Sequence, residues 1–250
     1  MYYIIMSLIH NKNFICFTTI PSRFDNLINI INYINLNFKN QFNRIKIYIP
    51  KKYIRFSNQY KIPSIVLNID NVDIVKCDKD WGPATKFIGP LLDNNIDDKD
   101  NIIVIDDDNI KDLSWLNISK YYINKYPDSI IQLRVCSFLN IPINIKFKHI
   151  HGVSGFCFKK KILNNYNFYN YIQGLPISFL FIDDDILTYY IYLYKLKLVM
   201  TTEIVKRKYL STSDSLVFQT GDLKRSKLRK QANTFLFNKF NFKFNLFNIS

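Results

Sequence analysis

The sequence predicts an α/β protein built as one domain, with a mostly parallel central sheet flanked by helices. Short runs of β-branched residues alternate along the chain with segments whose apolar residues recur at helical spacing, and this alternation is typical of parallel strands joined by helices. The length of 250 residues and the 48% of hydrophobic residues allow one large core, whereas two complete domains would be cramped.

The first strand and the first helix meet at a proline. Residues 14–20 form a continuous apolar run, which suits a strand buried on both faces. Pro21 ends this run, and Ser22 with Asp25 three residues later resembles a capping box. The pattern therefore predicts that a helix begins here, with apolar residues at helical spacing further along.

The later elements follow the same alternation of strand and helix. Gly82-Pro83 predicts a turn with proline in the first turn of a helix. Strands are predicted at residues 45–49, 72–75, 102–105, 130–135, in a run ending at 159, and at 198–204; helices are predicted after Pro83, at 113–126, at 186–195 and from 222 onward.

Two clusters of three aspartates are the most informative feature of the chain. Residues 106–108 follow a predicted buried strand, and residues 183–185 follow another strongly apolar stretch. Adjacent carboxylates repel one another, so a fold that places them at the end of its core needs a divalent cation, a basic substrate or a raised pKa. If the backbone stays extended, Asp106 and Asp108 point to one side, where their oxygens suit Mg²⁺ or Mn²⁺. The alternative is a solvated acidic turn or a helix cap.

The charge of the chain is strongly positive, at +14 from 34 Lys and Arg against 20 Asp and Glu. Such a surplus favours anionic partners. The chain is also rich in Ile, Asn, Lys, Tyr and Phe, a bias typical of AT-rich coding, which raises the lysine content without a functional demand. The densest basic runs, residues 206–208 and 224–230, are interpreted as solvated faces, and no nucleic-acid partner is expected.

The cysteines and the beginning of the chain bear on location. The four Cys are scattered and form no C-x-x-C pair, and the chain has only three His, so no zinc site is expected. Each cysteine lies in or beside a strand-like run, which favours buried free thiols in a reducing compartment. Residues 1–9 are apolar but lack a basic leader, and no later stretch free of charges reaches spanning length. We therefore expect a soluble cytoplasmic protein without a transmembrane segment, located in the host cytoplasm or the virion if the chain is viral.

Five short segments at predicted strand ends and loops carry a resemblance to a known family. They are TIPSR at 19–23, WGPATK at 81–86, IVIDDD at 103–108, HGVSGF at 151–156 and DDI at 184–186. The ordered set resembles the GT-A fold glycosyltransferases, which use nucleotide-sugar donors, and within them a group found in microbes and large DNA viruses. The resemblance implies one GT-A-like, Rossmann-like domain at residues 1–235, with a C-terminal tail at 236–250.

The resemblance implies that several loops bind the donor. The residues to which it gives this role are Thr19, Pro21, Arg23, Asp80, Trp81, Lys86, Asp106, Asp107, His151, Gly152 and Gly155. Lys86 would meet phosphate as a point charge, and the two glycines would let the backbone approach the sugar closely. Structural alternatives remain open for three of these residues: Arg23 as a solvated residue in a first helical turn, Trp81 as a core residue and His151 as a structural histidine.

The resemblance also implies the metal and the catalytic groups. Asp106 and Asp108 match its D-x-D motif and would hold Mn²⁺ or Mg²⁺, which offsets the charge on the departing nucleoside diphosphate. Asp185 would be the base of an inverting reaction, and Asp184 would orient the acceptor. A later histidine often completes the metal site in such enzymes, but none follows His151 in this chain, so the third metal contact stays unassigned.

The predicted function is therefore a metal-dependent glycosyltransferase, which moves a sugar from a nucleotide-sugar, with a UDP-sugar favoured, to a hydroxyl of a glycan or another acceptor. A sugar-phosphate nucleotidyltransferase is an alternative, although residues 18–23 are a poor version of its glycine-rich loop. A two-metal nuclease would use both acidic clusters on a basic protein. The third alternative is a binding module that keeps the fold without turnover.

Overall fold

One sheet of eight strands organises the part of the chain that the structure describes. The computed structural model describes residues 11–54, 62, 64–137, 149–164, 167–210 and 216–240. The strands are β1 (Asn13–Thr18), β2 (Arg44–Pro50), β3 (Val72–Cys77), β4 (Asn101–Val104), β5 (Asn109–Lys111), β6 (Ser129–Ser137), β7 (Phe156–Lys159) and β8 (Lys197–Tyr209).

Helices connect and flank these strands. They are α1 (Phe24–Phe38), α2 (Ser64–Leu67), α3 (Thr85–Leu92), α4 (Trp115–Lys125), α5 (Lys161–Asn164), α6 (Phe168–Gln173), α7 (Asp183–Leu193) and α8 (Leu216–Phe240). Short 3-10 helices at Pro21–Arg23, Gly82–Ala84, Gly152–Ser154 and Ile177–Ile182 lie at loops. The α/β class and each strand and helix placed from the sequence are confirmed, with boundaries that shift by a few residues.

The sheet is mixed, which corrects the expectation of a mostly parallel sheet. Its order is β3-β2-β1-β4-β7-β6-β8-β5. The pairs β3/β2, β2/β1, β1/β4 and β6/β8 are parallel, whereas β7 runs antiparallel to both of its neighbours and β5 runs antiparallel to β8. Apolar patterning shows that a run is a buried strand but does not encode its direction, so the sequence could not show these reversals.

The order of the first four strands reverses direction beside β1. The chain first moves outward from β1 to β2 and β3, and α3 then returns it to the other side of β1, where β4 pairs. In open α/β sheets, ligands bind where the strand order reverses, beyond the carboxyl ends of the strands. The loop after β1 and the aspartates after β4 therefore meet at this switch point.

Two apolar layers cover the sheet, one on each face. Alternation along β1 places Phe14 and Cys16 in the layer shared with α3, α7 and α8, and places Ile15 and Phe17 in the layer shared with α1 and α4. Both faces of the central strands are thus buried. This explains why their sequences read as continuous apolar runs.

The capping box predicted at Ser22 and Asp25 is wrong. Helix α1 begins at Phe24 with Arg23 in the N-cap position, and no side chain there makes a capping hydrogen bond. Pro21 instead starts a 3-10 turn, and the Arg23 backbone amide donates to the carbonyl of Ile20 at 2.9 Å. This backbone bond takes the place of the predicted side-chain cap.

The last helix runs without a break across residue 235. Within α8, Leu236 is buried, and the Phe240 ring lies 5.9 Å from that of Tyr171. The domain boundary predicted after residue 235 stays a prediction. No helix in the described ranges is both long enough and apolar enough to cross a membrane.

The described thiols are free, as the sequence predicts, and two of the three are buried as predicted. Cys16 and Cys157 are free and buried, and Cys77 is free and partly exposed. Burial raises the pKa of Cys77 to about 11, so this thiol stays protonated at neutral pH. The side chain of Cys136 lies outside the described part of the structure, although its backbone belongs to β6.

Candidate active site

Lys86 joins the two aspartate clusters. Its Nζ lies 2.8 Å from Asp106 Oδ1, 2.7 Å from Asp183 Oδ2 and 3.8 Å from Asp184 Oδ1. Asp106 and Asp183, 77 positions apart in sequence, thus meet around the ammonium group of Lys86, a residue that is only 3% exposed. Burial alone would lower the pKa of Lys86, but the three carboxylates raise it well above its ordinary value.

The remaining aspartates of the first cluster face the loop after β1. Arg23 Nη1 lies 2.7 Å from Asp107 Oδ1 and 3.6 Å from Asp108 Oδ2. Burial raises the pKa of Asp107 to about 6, against the opposing effect of Arg23. Thr19 is buried beside this pair, and its carbonyl accepts a hydrogen bond from the Tyr53 hydroxyl at 2.9 Å. The Arg23–Asp107 pair fixes the loop after β1 to the end of β4.

The other predicted donor-binding residues of the first half hold loops together. Asp80 accepts hydrogen bonds from the backbone amides of Ile54 and Gly82, each at 2.7 Å. Trp81 is 1% exposed, and its ring packs edge-on against Tyr169. Pro21 is buried at the start of its 3-10 turn. The ring of Trp81 lies in the core, so Trp81 affects the site only indirectly, by holding its loop in position.

The loop that precedes β7 packs directly against the Lys86 cluster. A side chain at Gly152 would collide with Lys86 Nζ and would lie 2.8 Å from Asp184 Oδ1. Burial, together with the neighbouring His149, lowers the pKa of His151 to about 4. His151 is therefore neutral at pH 7. Its ring centroid lies 4.7 Å from that of His149.

Replacing Gly155 by alanine is expected to destabilise the fold by about 1–3 kcal/mol, because its φ of +84° with ψ of 148° lies in a region that only glycine adopts readily. Its added Cβ would also lie 3.2 Å from Lys111 Cε and from the Val104 carbonyl oxygen. Chemical denaturation measures the loss. Gly174→Ala is the control, because φ is −80° there and the nearest atom is the flexible end of Lys239; equal losses in both variants would contradict the strain argument.

Asp184 and Asp185 have different surroundings at the start of α7. Asp185 Oδ1 lies 3.2 Å from His149 Nε2, and its Oδ2 accepts a hydrogen bond from Arg229 Nε at 2.8 Å. Burial would raise the pKa of Asp185, but His149 and Arg229 lower it below its ordinary value. The Asp184 side chain is 18% exposed, against 3% for Asp185. Burial raises the pKa of Asp184, and Asp106 adds to the rise while Lys86 opposes it.

The site carries more negative than positive charge. Burial raises the pKa of Asp183 to about 7, and burial together with Asp106 raises that of Asp108. Lys111, buried on the same side, has its pKa lowered by burial to about 8, although Asp106 and Asp108 oppose this shift. The five carboxylates of the site are Asp106, Asp107, Asp108, Asp183 and Asp184; the cations that act on them are Arg23, Lys86 and Lys111.

These groups fit a hard divalent cation. The donors are carboxylate oxygens, negative charge is in excess, and the Asp106 and Asp108 side chains are partly exposed beyond the end of β4. In the same ranges, no three His, Cys, Asp or Glu side chains are already grouped to hold an ion. One or two carboxylates completed by water and phosphate oxygens are the usual arrangement for Mg²⁺.

Sequence reasoning missed four basic residues at or beside the site: His149, Arg229, Lys111 and Arg207. Arg207 and Arg229 belong to the basic runs interpreted as solvated faces, which is correct for Lys206 and Lys208 but wrong for these two arginines. The period of two along β8 was the available signal, since it buries the middle residue of Lys206-Arg207-Lys208.

Solved structures share this fold. The structure of residues 1–349 of S. aureus TarS superposes with a TM-score of 0.58 at 11% identity, over 91% of this chain and 66% of that one. The same protein in complex with UDP gives 0.55 at 13% identity, over 92% and 72% of the two chains. GalNAc-T7 with UDP, GalNAc and Mn²⁺ gives 0.60 at 10% identity, over 92% and 50%.

Because the sequence identities are low, the structural similarity to TarS and GalNAc-T7 establishes the fold alone. TarS and GalNAc-T7 are glycosyltransferases with GT-A-like folds, so the chain described here has a GT-A-like α/β fold. It spans about two thirds of the TarS fragment and half of GalNAc-T7. No family model and no curated protein matches the sequence.

Proposed function

We propose that this chain is a glycosyltransferase that moves a sugar from a nucleotide-sugar, with a UDP-sugar favoured, to a hydroxyl group of a glycan or another acceptor. The observation that carries the proposal is the convergence of both aspartate clusters on Lys86 at the switch point of a GT-A-like sheet. Two structures with the same fold hold UDP, and one of them also holds Mn²⁺.

Asp106 and Asp108 are the residues that would hold Mn²⁺ or Mg²⁺. Both are partly exposed beyond the end of β4, whereas Asp107 is buried against Arg23. When bound, the cation offsets the negative charge that develops on the nucleoside diphosphate. Arg23 and Thr19 would border the nucleotide beyond β1, and Gly152 and His151 would border the sugar.

The acceptor proton needs a carboxylate that is accessible and weakly engaged. In an inverting transfer, the acceptor oxygen bonds to the anomeric carbon as the bond to the diphosphate breaks, and the hydroxyl proton passes to the base. The geometry favours Asp184 for this role, since Asp185 is buried between His149 and Arg229 and has a lowered pKa. We therefore assign Asp184 as the base and Asp185 as the residue that positions His149 and Arg229.

A thermal-shift screen against UDP, GDP and CMP, each with and without Mn²⁺, tests the proposed class. A ligand that binds only the folded protein raises the melting temperature. We expect a metal-dependent rise with one nucleotide, UDP first. A rise with Mn²⁺ and single-stranded DNA but with no nucleotide would favour the two-metal nuclease, and no rise with any of these ligands would favour a binding module without turnover.

The variant Asp108→Asn is expected to lose the metal-dependent part of the nucleotide-induced rise in melting temperature, because it removes one of the two carboxylates available to the cation. The melting temperature without ligand should stay close to that of the wild type. Asp108 contacts Arg23 at 3.6 Å, and the hydrogen bond that its Oδ1 accepts from Asn109 Nδ2 at 3.0 Å can also be accepted by the asparagine oxygen. Asp128→Asn, at an exposed carboxylate paired with Lys161, is the matched control. An unchanged response in Asp108→Asn would exclude the metal assignment.

A further inference from the structure

Arg207 is a buried arginine that forms an ion pair with no carboxylate of the described residues. It is 9% exposed, and neither its Nε nor its Nη1 has a hydrogen-bond partner among the described residues. Burying a guanidinium group without a partner is unfavourable, so such a group is retained where something binds it. The five carboxylates of the site pair with Arg23 and Lys86, so none of them serves as the partner of Arg207.

The backbone register places Arg207 beside Lys111. The two residues face each other in the antiparallel pair of β8 and β5, so their side chains lie on the same face of the sheet. Lys111 is also buried, and its ammonium group donates to Asn109 Oδ1 at 2.8 Å. The guanidinium carbon of Arg207 lies 4.7 Å from the centre of the Tyr209 ring. Two buried cations therefore share one face of the sheet.

This pair of cations borders the candidate active site. The Lys111 side chain packs against Gly155, and its positive charge acts to lower the pKa of Asp106 and of Asp108. The charge of Arg207 acts on His151, in the loop that covers Lys86 and Asp184. Arg207 thus lies beside Lys111 and close enough to the loop before β7 for its charge to act on His151.

We infer that Arg207, with Lys111 beside it, binds an anionic oxygen group of a substrate, a phosphate or a carboxylate. The inference rests on the proposed function for the location of the site, but not for the chemistry of the arginine. The planar guanidinium donates two parallel hydrogen bonds to such a group, and Nε and one Nη are the atoms that form this fork. Either the diphosphate of the donor or an acidic group on the acceptor supplies the anion.

Titration calorimetry with inorganic pyrophosphate in metal-free buffer tests the inference without any nucleotide. Arg207→Gln is expected to lose roughly 10- to 100-fold in affinity, the size expected for a charge-assisted hydrogen bond. Arg207→Lys, which keeps the charge but not the fork, should fall in between. Arg134→Gln, at an exposed arginine on β6, is the matched control and should equal the wild type. Equal affinity in Arg207→Gln and Arg134→Gln would overturn the inference.

Further titrations identify the source of the anion. If the donor diphosphate is the ligand, Arg207→Gln weakens binding of UDP but not of uridine. If an acceptor group is the ligand, UDP binding is unchanged, and pyrophosphate still binds the wild type saturated with UDP but not the variant. Pyrophosphate binding through Arg207 in a protein that binds no nucleotide would refute the proposed function and leave this inference standing.

Thermal melting separates a binding role from a structural one. Because Arg207→Gln removes an unpartnered buried charge, the variant is expected to melt no lower than the wild type. A lowered melting temperature together with unchanged pyrophosphate affinity would show that Arg207 only supports the fold, and would overturn the inference.

Discussion

Replacing Lys86 by methionine is expected to lower the free energy of unfolding by about 3–5 kcal/mol, the cost of leaving one side of a buried ion pair without its partner. Methionine keeps the unbranched shape of lysine and the fit against Gly152, so the loss of stability measures the contribution of the positive charge. Asp106 and Asp183 would then face each other without the ammonium group that lies within 2.8 Å of both. Urea denaturation of the wild type and the variant measures the difference.

The control for this prediction is a lysine in an exposed ion pair. Lys161 lies 2.7 Å from Asp128, with 38% and 74% of the two side chains exposed, and Lys161→Met should cost at most about 1 kcal/mol. Adding Asp183→Asn to Lys86→Met should recover part of the loss, because one carboxylate then no longer needs a cation. A Lys86→Met variant as stable as Lys161→Met would show that the cluster does not depend on this charge.

The fold was largely predictable because buried strands require β-branched runs, and helices that cover a sheet require apolar residues at helical spacing. The run at residues 102–105 predicted β4 within one residue, and the 3-10 turn at Gly82–Ala84 with α3 follows the predicted turn and proline. The direction of β7 was not predictable, because the apolar pattern of Phe-Cys-Phe-Lys is equally compatible with a parallel and an antiparallel neighbouring strand. The three-residue strand β5 is too short to show any period.

The residues of the site were easier to predict than their partners. Sequence reasoning selected both aspartate clusters and Lys86, but it assigned Lys86 to phosphate, whereas the structure pairs it with Asp106 and Asp183. A pairing between residues so far apart in sequence depends on the strand order, which no local pattern records. For the same reason, nothing local connected Arg229 of α8 with Asp185.

Replacing Asp184 by asparagine is expected to lower the transfer rate by about 10²–10⁴-fold, the usual contribution of a general base, with nucleotide binding unchanged. Asparagine has nearly the same shape but cannot accept the acceptor proton. The measurement is UDP release from a UDP-sugar, with sugars or water as acceptors, together with the affinity for UDP. A fall in kcat at constant UDP affinity separates the loss of a base from the loss of donor binding.

Asp185→Asn is the matched variant, one residue further along the same helix. Because Asp185 holds His149 and Arg229, this variant should lose some stability and a smaller part of the transfer rate. The order of the two rates is what distinguishes the candidate bases. If Asp185→Asn were the slower enzyme with normal UDP affinity, Asp185 would be the base, as the sequence predicted, and binding of the acceptor would have to release it from Arg229. If Asp184→Asn is slower, the partly exposed carboxylate beside Lys86 accepts the proton, and Arg229 keeps its partner throughout the reaction.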